Sequence, residues 1–309
     1  MKLGQPSLDQ LRIFVAVAEE GSFNAAAKRM GRAISAISYG VAQLEGQLAL
    51  TLFDREGSRR PVLTEAGRAL LAEARSVLDR SDGLLAKAQS LHQGLEAELS
   101  LALDVMLPGE VIAQVLRDFA TMFPTVALRL HIEALGAVAA CVLDGDAGLA
   151  VAGPTIGEDP ALERQVIGSV ELVPVASPGH RLAKGRAEPG ASREHLQLVL
   201  TDRSPLTEGR EFAVLSPRSW RLADLSAKHA LLREGIGWGN MPRHMVADDL
   251  AAGRLVLLDL PESPGADYSL TALWRRDMLL GPAASWMVDA LQARLGECEG
   301  VEPSARGRG

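Results

Sequence analysis

Three arginines in one short polar turn are the residues of this chain best suited to hold an anionic polymer. Arg55, Arg59 and Arg60 stand around a glycine, between the apolar pairs at 52–53 and 62–63. Short apolar runs on both sides of a glycine-containing turn predict a small β-hairpin. Guanidinium groups donate charge-assisted hydrogen bonds to phosphate oxygens. We therefore predict that this hairpin contacts a nucleic-acid backbone through Arg55, Ser58, Arg59 and Arg60.

The stretch before this turn, Gly31 to Leu50, combines an apolar helix face with a polar one. The apolar face holds residues spaced three or four apart, namely Ile37, Val41, Leu44 and Leu48. The opposite face is mostly small, which lets a helix enter a major groove about 12 Å wide. We expect base discrimination to depend on Arg32, Ser35 and Tyr39. Ile34 lies at the border, where it either packs in the core or meets a thymine methyl group, and we favour the core. The other predicted DNA-binding residues are Ser22, Lys28, Ser38 and Gln43.

Three short helices are needed to position these residues, and the sequence contains their start and stop signals. Ser7 followed by Gln10 is typical of a capping box, and Ser22 can cap a second helix. Gly31 then separates the second helix from the third. This arrangement predicts a helix-turn-helix, to which the arginine hairpin adds the wing of a winged helix. A generic helical bundle with a basic surface turn is the alternative.

Charge is distributed unevenly along the 309 residues, whose net charge is −7. Residues 1–94 contain twelve Lys and Arg against ten Asp and Glu, while the rest contain twenty against twenty-nine. An anionic partner is therefore expected only at the N-terminal segment.

Residues Leu11 to Leu71 resemble the N-terminal domain of LysR-type transcriptional regulators. The resemblance is carried by FxxVAExGSFxxAA, AISxxxxQLExxL, LFDR and LTEAG, in that order. It implies a cytoplasmic, sequence-specific DNA-binding protein, a homodimer or homotetramer whose C-terminal part senses a small molecule, with RNA polymerase as a further candidate partner. The family commonly has Ser-Gln-Pro at the start of its recognition helix, whereas this chain has Ala33-Ile34-Ser35.

A heptad repeat follows the hairpin. Thr64 can cap a helix of about thirty residues, and apolar residues recur every seventh position at Leu63, Leu70, Val77, Leu84 and Leu91. A repeat this long favours packing against a second helix, although a single helix lying on its own domain is the alternative. The resemblance implies a dimerisation helix, so the operator should be near-palindromic.

From about Ala97 strand-like and helical runs alternate, which predicts parallel sheets with crossover helices in two α/β lobes. We expect the chain to cross between lobes near Gly168 and to return near Ser269. Ligands of open α/β sheets bind beyond the carboxyl ends of strands, so the cleft between the lobes is the expected effector site. The resemblance implies the same periplasmic-binding-protein-like fold. The strand ends nominate Asp104, Val105, Met106, Leu135, Gly136, Gly153, Pro154, Thr201, Asp202, Ser204, Gly237 and Trp238.

Asp104 departs from the family, which often has Ser or Thr after the first strand to hold an anionic effector. A carboxylate there would repel an anion, so we expect an effector that is not a simple carboxylate bound at that point. It would be neutral, cationic or aromatic, and an aromatic one would stack on Trp238. The alternative is that Asp104 only caps the following helix.

No catalytic motif of the GxSxG, HExxH or P-loop type is present, so we predict neither enzyme activity, nor a cofactor, nor a metal. Cys141 and Cys298 are far apart, and no apolar run is long enough to span a membrane. The predicted fold is an α+β multidomain chain: winged helix-turn-helix at 1–62, linker helix at 63–94, lobe I at 95–167 and 270–298, lobe II at 168–269, and a disordered tail at 299–309. The functional alternative is an α/β small-molecule-binding protein or enzyme whose N-terminal module serves only assembly.

Overall fold

The computed structural model describes residues 4–54, 61–92, 94–154, 159–202 and 204–299. The chain divides into two compact units between Ser90 and Leu91. Each unit has its own hydrophobic core.

The N-terminal unit is a helix-turn-helix followed by a hairpin and a long helix. Its elements are α1 (Leu8–Glu20), α2 (Phe23–Met30), α3 (Ile34–Leu48), β1 (Phe53–Asp54), β2 (Val62–Leu63) and α4 (Glu65–His92). The predicted capping box is confirmed, because Ser7 and Gln10 each accept a hydrogen bond from the other's backbone N–H. Gly21 and Gly31 end α1 and α2 with φ of 60° and 64°, a conformation that costs glycine little.

The core of this unit forms where α1, α2 and α3 meet. The predicted inward face of α3 is confirmed, since Ile37, Val41 and Leu44 are fully buried. Glu45 Oε1 accepts hydrogen bonds from two backbone N–H groups, those of Leu52 and Phe53, at 2.7 and 3.2 Å. This carboxylate thereby fixes the chain that leaves α3 and enters the hairpin.

The C-terminal unit is a mixed α/β structure. Its helices are α5 (Gly109–Met122), α6 (Gly136–Leu143), α7 (Leu225–Arg233), α8 (Arg243–Ala251) and α9 (Pro282–Glu299). Its strands are β3 (Glu98–Asp104), β4 (Ala127–Glu133), β5 (Leu149–Ala152), β6 (Leu162–Ala176), β7 (Gln197–Leu200), β8 (Ser219–Leu222), β9 (Trp238–Pro242), β10 (Val256–Leu257) and β11 (Ala266–Arg275).

Two lobes share one sheet with the strand order β4-β3-β5-β11-β6-β9-β7-β8, and β10 also pairs with β6. We call β3, β4 and β5 with α5, α6 and α9 lobe I, and β7 to β10 with α7 and α8 lobe II. Within each lobe the prediction of parallel pairing is confirmed for β3 with β4 and β5, and for β7 with β8 and β9.

The prediction of parallel sheets is wrong for the strands that join the lobes. β6 and β11 pair antiparallel with each other, and they pair antiparallel with β9 and β5 respectively. Midway along this pair Ser169 lies opposite Ser269, and the register shifts between Leu270 and Thr271. Lobe II therefore connects to lobe I through two neighbouring strands of a continuous sheet. The residue bounds assigned to the domains from the sequence stay a prediction, and of the tail 299–309 only Glu299, which ends α9, is described.

Candidate DNA-binding surface and effector cleft

The outward face of α3 is open to solvent. Ser35, Ala36 and Tyr39 are exposed on it, and 64% of Tyr39 is accessible. Among the described residues no side chain caps the first turn of α3, which follows the extended residue Ala33. Backbone N–H groups at the start of this helix are therefore available to an anion.

Ile34 corrects a prediction, because it is 49% exposed and does not pack in the core. It is the first residue of α3, and the extended chain before it supplies no turn to cover it. The structure therefore leaves the interpretation in which Ile34 meets an apolar group of the partner.

Tyr39 and Gln43 form a hydrogen-bonded pair on this surface. Gln43 Nε2 donates to the Tyr39 hydroxyl at 2.6 Å, and Gln43 Oε1 accepts from Gln10 Nε2 at 3.4 Å. These contacts fix the orientation of the Gln43 amide, and they leave the phenolic proton of Tyr39 free to donate outward.

Arg32 is held at the entrance to α3 by a contact that the sequence did not reveal. Its guanidinium lies 2.8 Å from the Asp9 carboxylate, with both side chains about half exposed. The hydrogen bond from Arg32 lowers the pKa of Asp9 below its usual range. The side chain predicted to read bases therefore already has an acidic partner on α1.

The other predicted DNA-binding residues differ in their roles. Ser22 caps α2 by accepting from Ala25 N–H, Ser38 is half-buried, and Lys28 is exposed with no ion pair to any described residue. The wing residues Arg55, Ser58, Arg59 and Arg60 lie outside the described residues.

The heptad residues, Leu63 at the end of β2 and the others in α4, divide into two groups. Leu63 and Leu70 pack against the core of the N-terminal unit. This part of the repeat therefore fits the alternative in which the helix lies on its own domain. Val77 and Leu84 are exposed, with 70% of Leu84 accessible. The side chain of Leu91 lies outside the description.

Asp104, at the carboxyl end of β3, is fully buried and does not line the cleft. Its carboxylate accepts hydrogen bonds from Met106 N–H at 2.9 Å, Gly153 N–H at 3.2 Å and the Tyr268 hydroxyl at 2.8 Å. Burial raises its pKa to about 6, against the opposing effect of these donors. The helix-cap alternative is also wrong, since α5 begins at Gly109 without a side-chain cap.

Asp202 crosses from lobe II to the N-terminal end of α6 in lobe I. Its Oδ2 accepts from Ala137 N–H at 2.8 Å, and its Oδ1 accepts from the Thr207 hydroxyl. Gly136 permits this approach, because a Cβ there would lie 2.5 Å from Thr207 Cγ2. Asp202 and Gly136 were both predicted as effector-binding residues from the sequence, but their proximity was not predicted.

A cavity of about 590 Å³ lies beside this contact. Four of the nominated effector residues line it, namely Leu135, Thr201, Asp202 and Ser204. The rest of its wall comes from β7, β8 and the loop of residues 204–214. Almost the whole wall therefore belongs to lobe II, with Leu135 as the contribution of lobe I.

The remaining nominated residues do not line this cavity. Trp238 is fully buried beside Leu258 and Leu260, so its indole cannot stack on an effector and that expectation is wrong. Its neighbour Gly237 packs against the carbonyl of Leu196. Met106 and Gly153 are buried, Val105 is half-buried and Pro154 is exposed.

Lobe II contains buried ionisable groups whose partners the sequence did not identify. Lys228 is almost fully buried and donates from Nζ to the Asn240 carbonyl at 2.7 Å; burial lowers its pKa to about 8. On the next residue, His229 Nε2 lies 2.6 Å from the buried Asp249 carboxylate. None of these three side chains lines the cavity.

No group of three or more His, Cys, Asp or Glu side chains among the described residues is arranged to hold a metal ion. Across those same residues, no helix is long and apolar enough to cross a bilayer.

Comparison with known proteins gives two family matches. Residues 8–68 match the bacterial regulatory helix-turn-helix protein, lysR family, and residues 92–296 match the LysR substrate binding domain. The chain is 30% identical over 288 residues to the probable HTH-type transcriptional regulator YhaJ of Escherichia coli, covering 91% of this chain and 94% of that protein. It is 28% identical over 297 residues to the HTH-type transcriptional regulator AceR of Acinetobacter baumannii, covering 92% and 96%.

Solved structures show the same fold. An OxyR C206 mutant of Corynebacterium glutamicum superposes with a TM-score of 0.57 at 20% identity, covering 96% of this chain and 95% of that one. CrgA of Neisseria meningitidis, a LysR-type transcriptional regulator, gives 0.51 at 22% identity, covering 93% and 98%.

Proposed function

Since the chain belongs to the LysR family of transcriptional regulators, we propose that α3 reads a near-palindromic operator and that a small molecule bound between lobes I and II sets the response. The protein is a DNA-binding regulator with an effector-binding domain, and it is not an enzyme. We place it in the cytoplasm, where its operator is, and RNA polymerase is a further partner in this proposal.

The exposed face of α3 carries the DNA-binding part of the proposal. It offers a surface of mostly small residues with a phenol that no described acceptor takes a proton from, an isoleucine in the first turn, and N–H groups at the helix start that no described side chain caps. A free phenolic proton can donate to a base acceptor, and an apolar side chain can contact a thymine methyl group. Specificity then depends on Tyr39, Ser35 and Ile34.

Fluorescence anisotropy with the full-length protein tests these roles, using duplexes from the DNA that flanks its own gene and random duplexes. Tyr39→Phe and Ile34→Ala should each reduce the preference for the operator by about five- to hundredfold, the range of one base contact. Lys28→Ala should instead weaken binding to both duplexes alike, and it should lower the slope of log affinity against log salt concentration by about one. Lys184→Ala in lobe II is the matched control. Absence of duplex binding by the wild-type chain would overturn the proposal.

Self-association is the second part of the proposal, and the outer half of α4 supports it. Val77, Leu84 and Leu85 are exposed on a helix that carries a heptad repeat. Apolar positions of this spacing bury themselves against a second helix. Two copies joined here place two α3 helices on one DNA duplex, so the operator should have two half-sites.

Light scattering after size exclusion tests the interface. Leu84→Ser combined with Val77→Ser should shift the oligomer toward monomer, while Leu50→Ser, an exposed leucine outside the repeat, should leave it unchanged. If the double variant keeps the wild-type mass, α4 is not the interface.

We propose further that the effector is neutral or cationic. Carboxylates of the chain itself already accept from backbone N–H groups at both places where an anion would bind, Asp104 on Met106 and Gly153, and Asp202 on Ala137. Only Asp202 of the two lines the cavity, and no described cation forms an ion pair with it, so an anionic effector placed beside Asp202 would approach another negative charge.

A thermal-shift screen of metabolites followed by calorimetry tests the class of effector, since a ligand that binds only the folded state raises its stability. Amines, amides and polyols should include the binders, and small dicarboxylates should not. Tight binding of a dicarboxylate that is lost on Thr201→Val would contradict this class. The effector acts on DNA binding only to the extent that it binds one arrangement of the lobes more tightly than another.

A further inference from the structure

The contact of Asp202 with α6 joins the two lobes through a small number of strong interactions. The carboxylate is held on one side by the Ala137 N–H and on the other by the Thr207 hydroxyl. Ala137 N–H also lies 3.1 Å from the Ala134 carbonyl, so the Asp202 oxygen at 2.8 Å is its shorter acceptor. A negative charge at this place is favoured by the helix dipole as well as by the hydrogen bond.

Packing around the contact is close. Leu206, in the short 3-10 helix Pro205–Thr207, packs against the buried cluster of lobe I that includes Val138 and Val142. Gly136 has no room for a side chain beneath Thr207. Leu135, just before α6, has φ of 53°, which is unfavourable for a leucine. The loop of lobe II is thus seated directly on lobe I.

The cavity adjoins the same residue. Asp202 forms part of its wall, and so does Thr201. No arginine, lysine or histidine among the described residues forms an ion pair with Asp202, whereas Glu211 in the same loop pairs with Arg221. A ligand in the cavity that donates a hydrogen bond therefore reaches an acceptor that no cation among the described residues neutralises.

We propose that Asp202 is a built-in latch: its carboxylate closes lobe II onto α6 in the free protein, and an effector that donates hydrogen bonds releases it by taking Asp202 from Ala137. This regulation rests on the proposed effector site. The latch itself needs neither the effector nor DNA, so it can be tested separately.

Hydrogen exchange of the full-length, DNA-free protein tests the latch. Asp202→Ala should make the amides of 136–139 and 206–208 exchange about ten- to hundredfold faster, the effect of losing one hydrogen bond to a charged group. Asp202→Asn should give a smaller increase, because an amide oxygen still accepts from Ala137. Gly136→Ala should also increase the exchange rate of these amides, because it disturbs the contact on the α6 side and leaves the Asp202 carboxylate in place.

Glu234→Gln is the matched control, since it removes one exposed negative charge from lobe II outside the cavity wall, and its amides should exchange like those of the wild type. Unchanged exchange at 136–139 in Asp202→Ala would overturn the latch. Faster exchange throughout both lobes would also overturn it, because Asp202 would then be a general stabilising residue.

The regulatory half has its own readout. Without any added ligand, Asp202→Ala should bind operator DNA with an affinity several-fold different from that of the wild type, and Glu234→Gln should bind it with the wild-type affinity. If the amides of α6 exchange faster but operator affinity stays the same, the latch does not regulate. If no variant binds DNA, the proposed function fails while the exchange result still decides the latch.

Discussion

Replacing Asp104 with asparagine should remove a specific pH dependence from the stability of the C-terminal unit. Asp104 is fully buried, and burial raises the pKa of its carboxyl from 3.8 to about 6. The folded protein therefore binds this proton more tightly than the unfolded chain does. Its contribution to stability is complete below about pH 4 and is lost as the pH rises through about 6.

The magnitude follows from the two pKa values. The interval from 3.8 to about 6 corresponds to about 3 kcal/mol in all, at 1.36 kcal/mol for each pKa unit. About 1.4 kcal/mol of this should be lost between about pH 5 and about pH 7.5. The asparagine side chain has no proton to lose, so the difference in unfolding free energy between the wild type and Asp104→Asn should change by that amount across the interval.

Urea unfolding followed by tryptophan fluorescence measures this difference. All four tryptophans lie at position 220 or beyond, so the signal reports the unit that contains Asp104. Asp267→Asn, an exposed acid on β11 next to Tyr268, is the charge-matched control and should track the wild type. A difference between the wild type and Asp104→Asn that stays constant with pH, or grows in favour of the wild type as the pH rises, would refute the reasoning.

Three other substitutions have defined outcomes. Lys228→Met should raise the unfolding free energy at pH 7, because the buried ammonium carries a desolvation cost and its only hydrogen bond among the described residues is to the Asn240 carbonyl. Burial lowers the pKa of Lys228 in the folded wild type to about 8, so the stability of the wild type should rise with pH from about 8 until lysine also deprotonates in the unfolded chain near 10.5. Urea unfolding of the variant should show no such rise. Gly153→Ala should destabilise the C-terminal unit by about 1–3 kcal/mol in urea, since the added methyl overlaps the Tyr268 hydroxyl. Glu45→Ala should lower the thermal stability of the N-terminal unit, followed by circular dichroism, by about 1–3 kcal/mol, because it leaves two backbone N–H groups without their acceptor.

The helix-turn-helix was predictable because its signals are local. A capping box between Ser7 and Gln10, a glycine at position 31 and an apolar repeat on α3 each lie within one turn or one helix of the element they specify. Ile34 was misjudged, because its burial depends on whether a neighbouring element covers the first turn of α3, and periodicity does not report that.

The contacts of Asp104 and Asp202 were not predictable, because they join residues far apart in the sequence. Asp104 and Tyr268 are 164 residues apart in sequence, and Asp202 and Ala137 are 65 apart. Placing polar residues at strand ends identified Asp104 and Asp202, but the donors to Asp104 depend on which strands lie beside β3, and the donor to Asp202 depends on how the two lobes approach. Trp238 was misjudged because the short strand that carries it is covered on both faces.

The pairing of Ser169 with Ser269 also determines how this chain can be cut and rebuilt. Residues opposite each other in an antiparallel pair have Cα atoms about 4.5–5.5 Å apart, so the chain enters and leaves lobe II at nearly the same point. Lobe II is thus a cassette inserted into lobe I, whose own halves are separated in sequence. A tight turn joining the two strands at this point would close lobe I without lobe II, and a cassette from a relative could be exchanged through the same two junctions. Truncating the chain at only one of these junctions would separate the two halves of lobe I.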